Sequence, residues 1–227
     1  MDVYKHPHGV SEGEDGVKYG GDAIILGGWY STPYERLLPK YLPLTKFQFP
    51  VLEIEGSVYG GGSDLYGMNG EKIKLIENGY HNHLWLCLFM KMAGGGTDWF
   101  NNELDANNLM FHAKSISKYL DGESLTKTHW QMAKPEVSDT VLNAFALTSE
   151  NKTLAWIIRP PSKRQTENST TSTLNIPVEK NGKYIIEFWD TSKGEILQKV
   201  NKESTGKMIQ LKIDYVKADV AFKAILQ

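Results

Sequence analysis

The run Asn181 to Val200, NGKYIIEFWDTSKGEILQKV, fixes the reading of the carboxyl half of the 227-residue chain. Two strand candidates, Lys183 to Asp190 and Glu195 to Val200, flank the turn residues Ser192-Lys193-Gly194. Asn181-Gly182 stands just before them, and Asn-Gly between alternating apolar runs is the strongest short-range hairpin signal. Ile186 and Phe188 alternate with Ile185, Glu187 and Trp189, the period of two expected where one sheet face is buried. Working outward, the same grammar recurs. Thr140 to Ser149, Thr153 to Arg159, Ser172 to Val178, Lys207 to Ile213 and Ala218 to Leu226 are further strand candidates, with Glu150-Asn151-Lys152 and Ser204-Thr205-Gly206 as turns. In the fourth of these, Met208, Gln210 and Lys212 alternate with Ile209, Leu211 and Ile213. Seven short antiparallel strands in about 90 residues predict a β-sandwich. The polar stretch Ser162 to Thr173 reads as a loop between strands. It holds one of two chance-level N-glycosylation patterns, Asn168-Ser169-Thr170; the other is Asn151-Lys152-Thr153.

Composition changes at Lys134-Pro135. Ahead of it lie 18 of the 21 Gly, four of the six Trp and all six His, residue types from which binding loops are commonly built. Helix candidates are Thr32 to Tyr41, with Pro33 in the first turn, then Gly79 to Met92, and Asn102 to Leu120, which Asp121-Gly122 ends. The apolar strand Phe49 to Glu55, FPVLEIE, sits between the first two, and the glycine-rich MAGGGTDWFNN follows the second. Strands alternating with helices predict a parallel α/β sheet, with chemistry at the carboxyl ends of its strands. The chain is therefore expected to hold an α/β domain over 1–133 and an all-β domain over 134–227.

Charge and composition exclude several function classes. The 25 basic and 27 acidic side chains give a formal net charge of -2, which argues against a broad nucleic-acid-binding face. A hydrophobic content of 41% argues against disorder. The single Cys87 excludes an internal disulfide framework and a cysteine metal cluster, and inside an apolar run it reads as a small core residue. The longest apolar run, Leu84 to Met90, is too short to span a bilayer. The N-terminus lacks a signal peptide's basic start and apolar segment, so the compartment stays open: periplasmic or extracellular if the chain belongs to a secreted protein. No nucleophile elbow, P-loop or dinucleotide fingerprint is present, and no cofactor is expected.

Several residues stand where chemistry could be done. Glu55 closes the apolar strand and opens the glycine-rich loop Ser57 to Gly62, which contains Tyr59. A regular strand would put Glu53 on the same face about 6.6 Å deeper. That is a poor arrangement for the pair of a retaining glycosidase, whose carboxyl groups lie about 5 to 5.5 Å apart across the sugar. A strand-end Glu in a solvated ion pair fits the spacing equally well. His6 and His8 could share a face, but no third ligand at a convincing spacing makes a metal site; sugar hydrogen bonding and an ordinary surface turn are the alternatives. His81 and His83 fall on different faces of a helix and read as polar residues near its start. Trp99, beside Asp98, offers a ring on which a sugar could stack, although a core Trp looks the same in sequence.

Phe49-Pro-Val-Leu-Glu-Ile-Glu55-Gly56 resembles the seventh barrel strand of clan A glycoside hydrolases, the cellulase-like family 5 group, in which Pro-Val and three more residues precede a nucleophilic Glu. The resemblance puts that role on Glu55. Gly56 is adjacent here, where the family often has one intervening residue, so Glu53 is the second choice. Asp2 to His8 resembles the sixth strand, with His6 and His8 as its substrate-binding residues. Ala93 to Asn102 resembles the eighth, with Trp99 flooring the sugar subsite. Gly182 to Glu195, with Ala218-Asp219-Val220-Ala221, resembles the collagen-binding-type β-sandwich that follows such barrels. The implied fold is a partial (β/α)8 barrel, its last strands and helices, followed by a small antiparallel sandwich. The implied function is retaining hydrolysis of an O-glycosyl bond in a polysaccharide or oligosaccharide.

The family's acid/base Glu follows strand four in an Asn-Glu pair, and the only Asn-Glu here is Asn102-Glu103, beyond the presumed eighth strand. The chain is thus expected to be the carboxyl portion of a longer enzyme, weakly active or inactive alone, with a missing barrel segment or partner chain to complete it. The alternative is a non-catalytic carbohydrate-binding or interaction module. Neither reading implies a nucleic-acid or membrane partner.

Overall fold

The computed structural model describes residues 17–20, 23–28, 38–39, 42, 51–56, 70–92, 101–164, 171–214 and 216–227. They form two compact units, Met1–Ala113 and Lys114–Gln227.

In the first unit, strands β1 (Val17–Gly20), β2 (Ala23–Gly28) and β3 (Val51–Gly56) form one sheet in that order. β1 and β2 pair antiparallel, and β2 and β3 pair parallel. The sheet is therefore mixed, where the alternation of strands and helices predicts parallel pairing throughout. β1 and β2 are separated by two residues, a spacing that favours an antiparallel hairpin, whereas the parallel pair needs the long 29–50 crossover between its members. Helix α1 (Gly70–Phe89) begins nine residues ahead of the predicted Gly79. Glycine at 79 reads as a boundary because it costs about 1 kcal/mol inside a helix, a preference that tertiary packing overrides.

The single helix expected over Asn102 to Leu120 is two: α2 (Asn101–Ala106) and α3 (Phe111–Tyr119). The break is a turn over 107–110 with Asn108 at φ 55°, a conformation that Asn adopts more readily than most residues. α2 starts at Asn101, one residue ahead of the expected Asn102. Of the predicted helix Thr32 to Tyr41, residues 38 and 39 are helical and the others lie outside the described residues.

The second unit contains all seven strands expected after Lys134: β6 (Asn143–Thr148), β7 (Lys152–Ile158), β8 (Ser172–Pro177), β9 (Gly182–Asp190), β10 (Glu195–Ser204), β11 (Met208–Ile213) and β12 (Asp219–Leu226). Two short strands, β4 (Gln131–Ala133) and β5 (Glu136–Val137), join them. The strands make a six-stranded sheet, β10-β9-β12-β7-β6-β4, and a three-stranded sheet, β11-β8-β5. Every pairing in both sheets is antiparallel. One core joins them: Ile157, Ile186 and Phe222 of the larger sheet pack with Leu174, Ile176, Ile209 and Leu211 of the smaller. Each such side chain contributes about 1.5–3 kcal/mol on full burial, so this core is the main source of the unit's stability.

Residues 114–133, ahead of the change in composition, group with these strands. The Tyr119 hydroxyl donates to the Phe222 carbonyl at 2.8 Å, and the Ser115 hydroxyl donates to the Ser192 carbonyl. Buried Arg159 ties two loops, donating from Nε to the Val216 carbonyl at 2.8 Å and from Nη2 to Asp139 Oδ2 at 2.9 Å.

Candidate functional site

β3 holds both candidate carboxylates. Glu55 is its penultimate residue and Gly56 its last. Its register against β2 is irregular: Leu26 faces Glu53 and the next residue, Gly27, faces Glu55, leaving Ile54 as an extra residue. Such a bulge is rare in a parallel pair, and bulges concentrate beside active sites, where they re-aim the chain. It also interrupts the strict alternation from which Glu53 and Glu55 were placed on one face, so that spacing no longer follows. The description of both residues stops at the backbone. His6, His8, Tyr59, Asp98 and Trp99 lie outside the described residues.

His81 and His83 are not near a helix start. They lie in the second half of α1, buried together with Asn82. His81 Nδ1 is 3.0 Å from Nδ1 of His112 on α3, with the rings 4.8 Å apart at 67°. One of those two nitrogens must carry a proton and the other a lone pair. His112 Nε2 lies 3.5 Å from a carboxylate oxygen of Glu77, so Glu77, His112 and His81 stand in a row. The side-chain amide of Asn82, 1% exposed, has no hydrogen-bond partner on either atom, a costly arrangement that an ordered water would relieve. Cys87 is buried, as expected. Among the described residues, no three His, Cys, Asp or Glu side chains are grouped to hold a metal, and no helix is long and apolar enough to cross a membrane.

In the second unit a lysine is held inside. Lys223 Nζ, on central strand β12, meets Glu123 Oε1 at 2.9 Å and lies 5.2 Å from the ring centres of both Tyr119 and Trp189. Lys152 Nζ approaches the other oxygen of Glu123 at 3.0 Å. Trp189 Nε1 donates to Glu187 Oε2 at 3.1 Å, and Glu187 pairs outward with Lys199 at 2.7 Å. Burial, and secondarily the Glu123 carboxylate, hold the Tyr119 phenol well above its usual pKa. It therefore stays a neutral donor. Two ammonium groups thus share the one carboxylate of Glu123, and the Lys223–Glu123 pair is buried on both sides.

A groove of about 740 Å³ opens where the larger sheet extends past the smaller, between β10 and β11. Its apolar lining includes Phe188, Val200 and Leu211. β10 is exposed over nearly its whole length, with Leu197 at 64%. Sequence reasoning passed over this groove. The available signal was the accumulation of polar side chains in Gln198-Lys199-Val200-Asn201-Lys202, which marks an edge strand.

No protein-family model and no curated protein matches the chain. Among solved structures, it is similar to a glycoside hydrolase family 30 endoxylanase from Clostridium papyrosolvens at 11% identity and a TM-score of 0.48, covering 88% of this chain and 48% of that one. It is also similar to a family 5 glycoside hydrolase from Bacteroides vulgatus at 10% identity and a TM-score of 0.47, covering 90% and 50%. A third is a family 44 endoglucanase from Clostridium thermocellum, at 15% identity and a TM-score of 0.40, covering 84% and 35%. The chain spans about half the length of the first two.

Proposed function

We propose that the first unit carries a retaining glycoside hydrolase site in which Glu55 is the nucleophile. The observation that carries this reading is the backbone of β3: a strand paired in parallel with β2, ending in Glu55-Gly56, with a bulge immediately before the Glu. In this mechanism the Glu55 carboxylate attacks the anomeric carbon as an acid protonates the departing oxygen. Water then hydrolyses the glycosyl-enzyme ester, and the same acid, now a base, takes the water's proton. Trp99, Asp98, Tyr59, His6 and His8 are the proposed sugar contacts, and Glu53 is the second choice for the nucleophile. No residue of this sequence is assigned to the acid.

The test therefore uses activated aryl glycosides, whose leaving groups depart without full protonation. Glu55→Gln is expected to lower turnover by roughly a thousandfold or more, with Glu53→Gln near wild type and formate restoring activity to Glu55→Ala. Loss of activity in Glu53→Gln alone would move the role to Glu53. Unchanged turnover in both variants would remove the hydrolase reading.

A further inference from the structure

We propose that the groove between β10 and β11 is a binding site for an acidic sugar chain, a polysaccharide or oligosaccharide bearing uronate carboxylates. This goes beyond the hydrolase reading and does not depend on it. Four cations line the groove against three carboxylates: Arg164, and three lysines from three separate pieces of chain, Lys202 on β10, Lys212 on β11 and Lys217 between β11 and β12. All three lysines are exposed, and among the described residues none has a side-chain ion pair or hydrogen bond. A charge run along one element would be an ordinary solvated face. Convergence from three elements on one hollow is a field that draws an anion.

The anion is neither a dense polyphosphate nor a simple ion, because Asp190, Asp214 and Asp219 line the same hollow. Asp190 Oδ1 accepts the backbone N–H groups of Ser192 and Lys193, and Asp219 Oδ2 accepts the Trp156 indole N–H at 2.8 Å. Among the described residues the Asp214 carboxylate has no partner, so it is available to a hydroxyl donor. Closely spaced phosphates would meet three like charges. A sugar chain supplies what both sets of groups require: hydroxyls that donate to carboxylates, and sparse carboxylates that pair with ammonium groups. Its apolar ring faces match the exposed Leu197 and the half-buried Val200 of the lining. The volume falls within the range of ligand sites. Among the described residues, no exposed aromatic ring lines the groove for nucleobases to stack on: Phe222 is buried and Phe188 is half-buried.

Calorimetric titration of the full chain with oligogalacturonate, dextran and polyglutamate tests the proposal. The uronate chain is expected to bind with an affinity that weakens as salt is added, while dextran and polyglutamate bind at least tenfold more weakly. The triple variant Lys202→Glu, Lys212→Glu, Lys217→Glu is expected to lose at least tenfold in affinity with its melting temperature unchanged, since all three side chains are exposed. Lys183→Glu, at an exposed position outside the groove lining, serves as the off-site control and is expected to keep wild-type affinity. Equal binding of dextran would overturn the recognition of acid, and equal binding of polyglutamate would overturn the recognition of sugar. An unaffected triple variant, or no binding of the uronate chain, would overturn the site. Binding retained by an inactive Glu55→Gln chain supports the groove whatever becomes of Glu55.

Discussion

Lys223 shows how much one carboxylate can decide. Its ammonium lies on a central strand at 4% exposure, and Glu123, at 5% side-chain exposure, is its acid. Removing one member of a buried pair leaves the other charged and unsolvated, which costs about 3–5 kcal/mol, whereas an apolar side chain of similar volume can be tolerated. Glu123→Gln is therefore expected to lower the denaturant midpoint of the second unit by an amount equivalent to about 3–5 kcal/mol. Adding Lys223→Met to it should recover most of that loss. An unchanged midpoint in the single variant would mean that the lysine reaches water or loses its proton at little cost. Nothing in the sequence pairs positions 100 apart. Glu55 is the opposite case: the motif Pro50 to Gly56 singled it out, and the structure adds the bulge at Ile54, which no alternation pattern reveals.

Elements were legible where the period of two ran for several residues. All seven expected strands are present: β8, β9 and β11 alternate over a buried face, while β6, β7 and β12 are marked by apolar runs and β10 by the turns at either end. β4 and β5, three and two residues long, are too short to show a period. Turns were legible as turns but not ranked. Ser192-Lys193-Gly194 and Ser204-Thr205-Gly206 read alike in sequence, yet their glycines are in different positions physically. Gly194 has φ +63°, and a Cβ there would come within 2.5 Å of the Ser115 carbonyl oxygen, because α3 lies against this turn and Lys118 Nζ donates to the Lys193 carbonyl at 3.0 Å. A Cβ at Gly206 would meet nothing within 4 Å. Gly194→Ala should accordingly destabilise the unit by about 2 kcal/mol or more, combining left-handed strain with the displacement of α3. Gly206→Ala should stay within about 0.5 kcal/mol of wild type. Thermal melts of the two variants check this, and equal shifts would show that α3 is not seated on the turn.

At the scale of the whole molecule, the open question is where the sandwich begins as a folding unit. Composition changes at Lys134-Pro135, because glycine-rich, histidine-bearing sequence gives way there to short alternating strands. The compact unit starts at Lys114. The twenty residues between are not spacer by their contacts: Glu123 neutralises Lys223, the Tyr119 hydroxyl satisfies the Phe222 carbonyl, and Trp130 is 4% exposed with its indole N–H donating to the Ser124 carbonyl at 3.1 Å. A chain cut at 134 would keep every strand from β5 onward but lose the acid for a buried lysine and the cover over Trp189. We propose that the autonomous unit is 114–227. Expressed alone, it should unfold cooperatively, and 134–227 should be less stable by at least the cost of the orphaned charge, about 3–5 kcal/mol. Lys223→Met should return part of that deficit to the shorter chain and little to the longer one, which separates loss of the acid from loss of apolar cover. If 134–227 melts at the same temperature as 114–227, the change in composition is the true boundary, and α3 with its following loop is only an appendage of the sandwich.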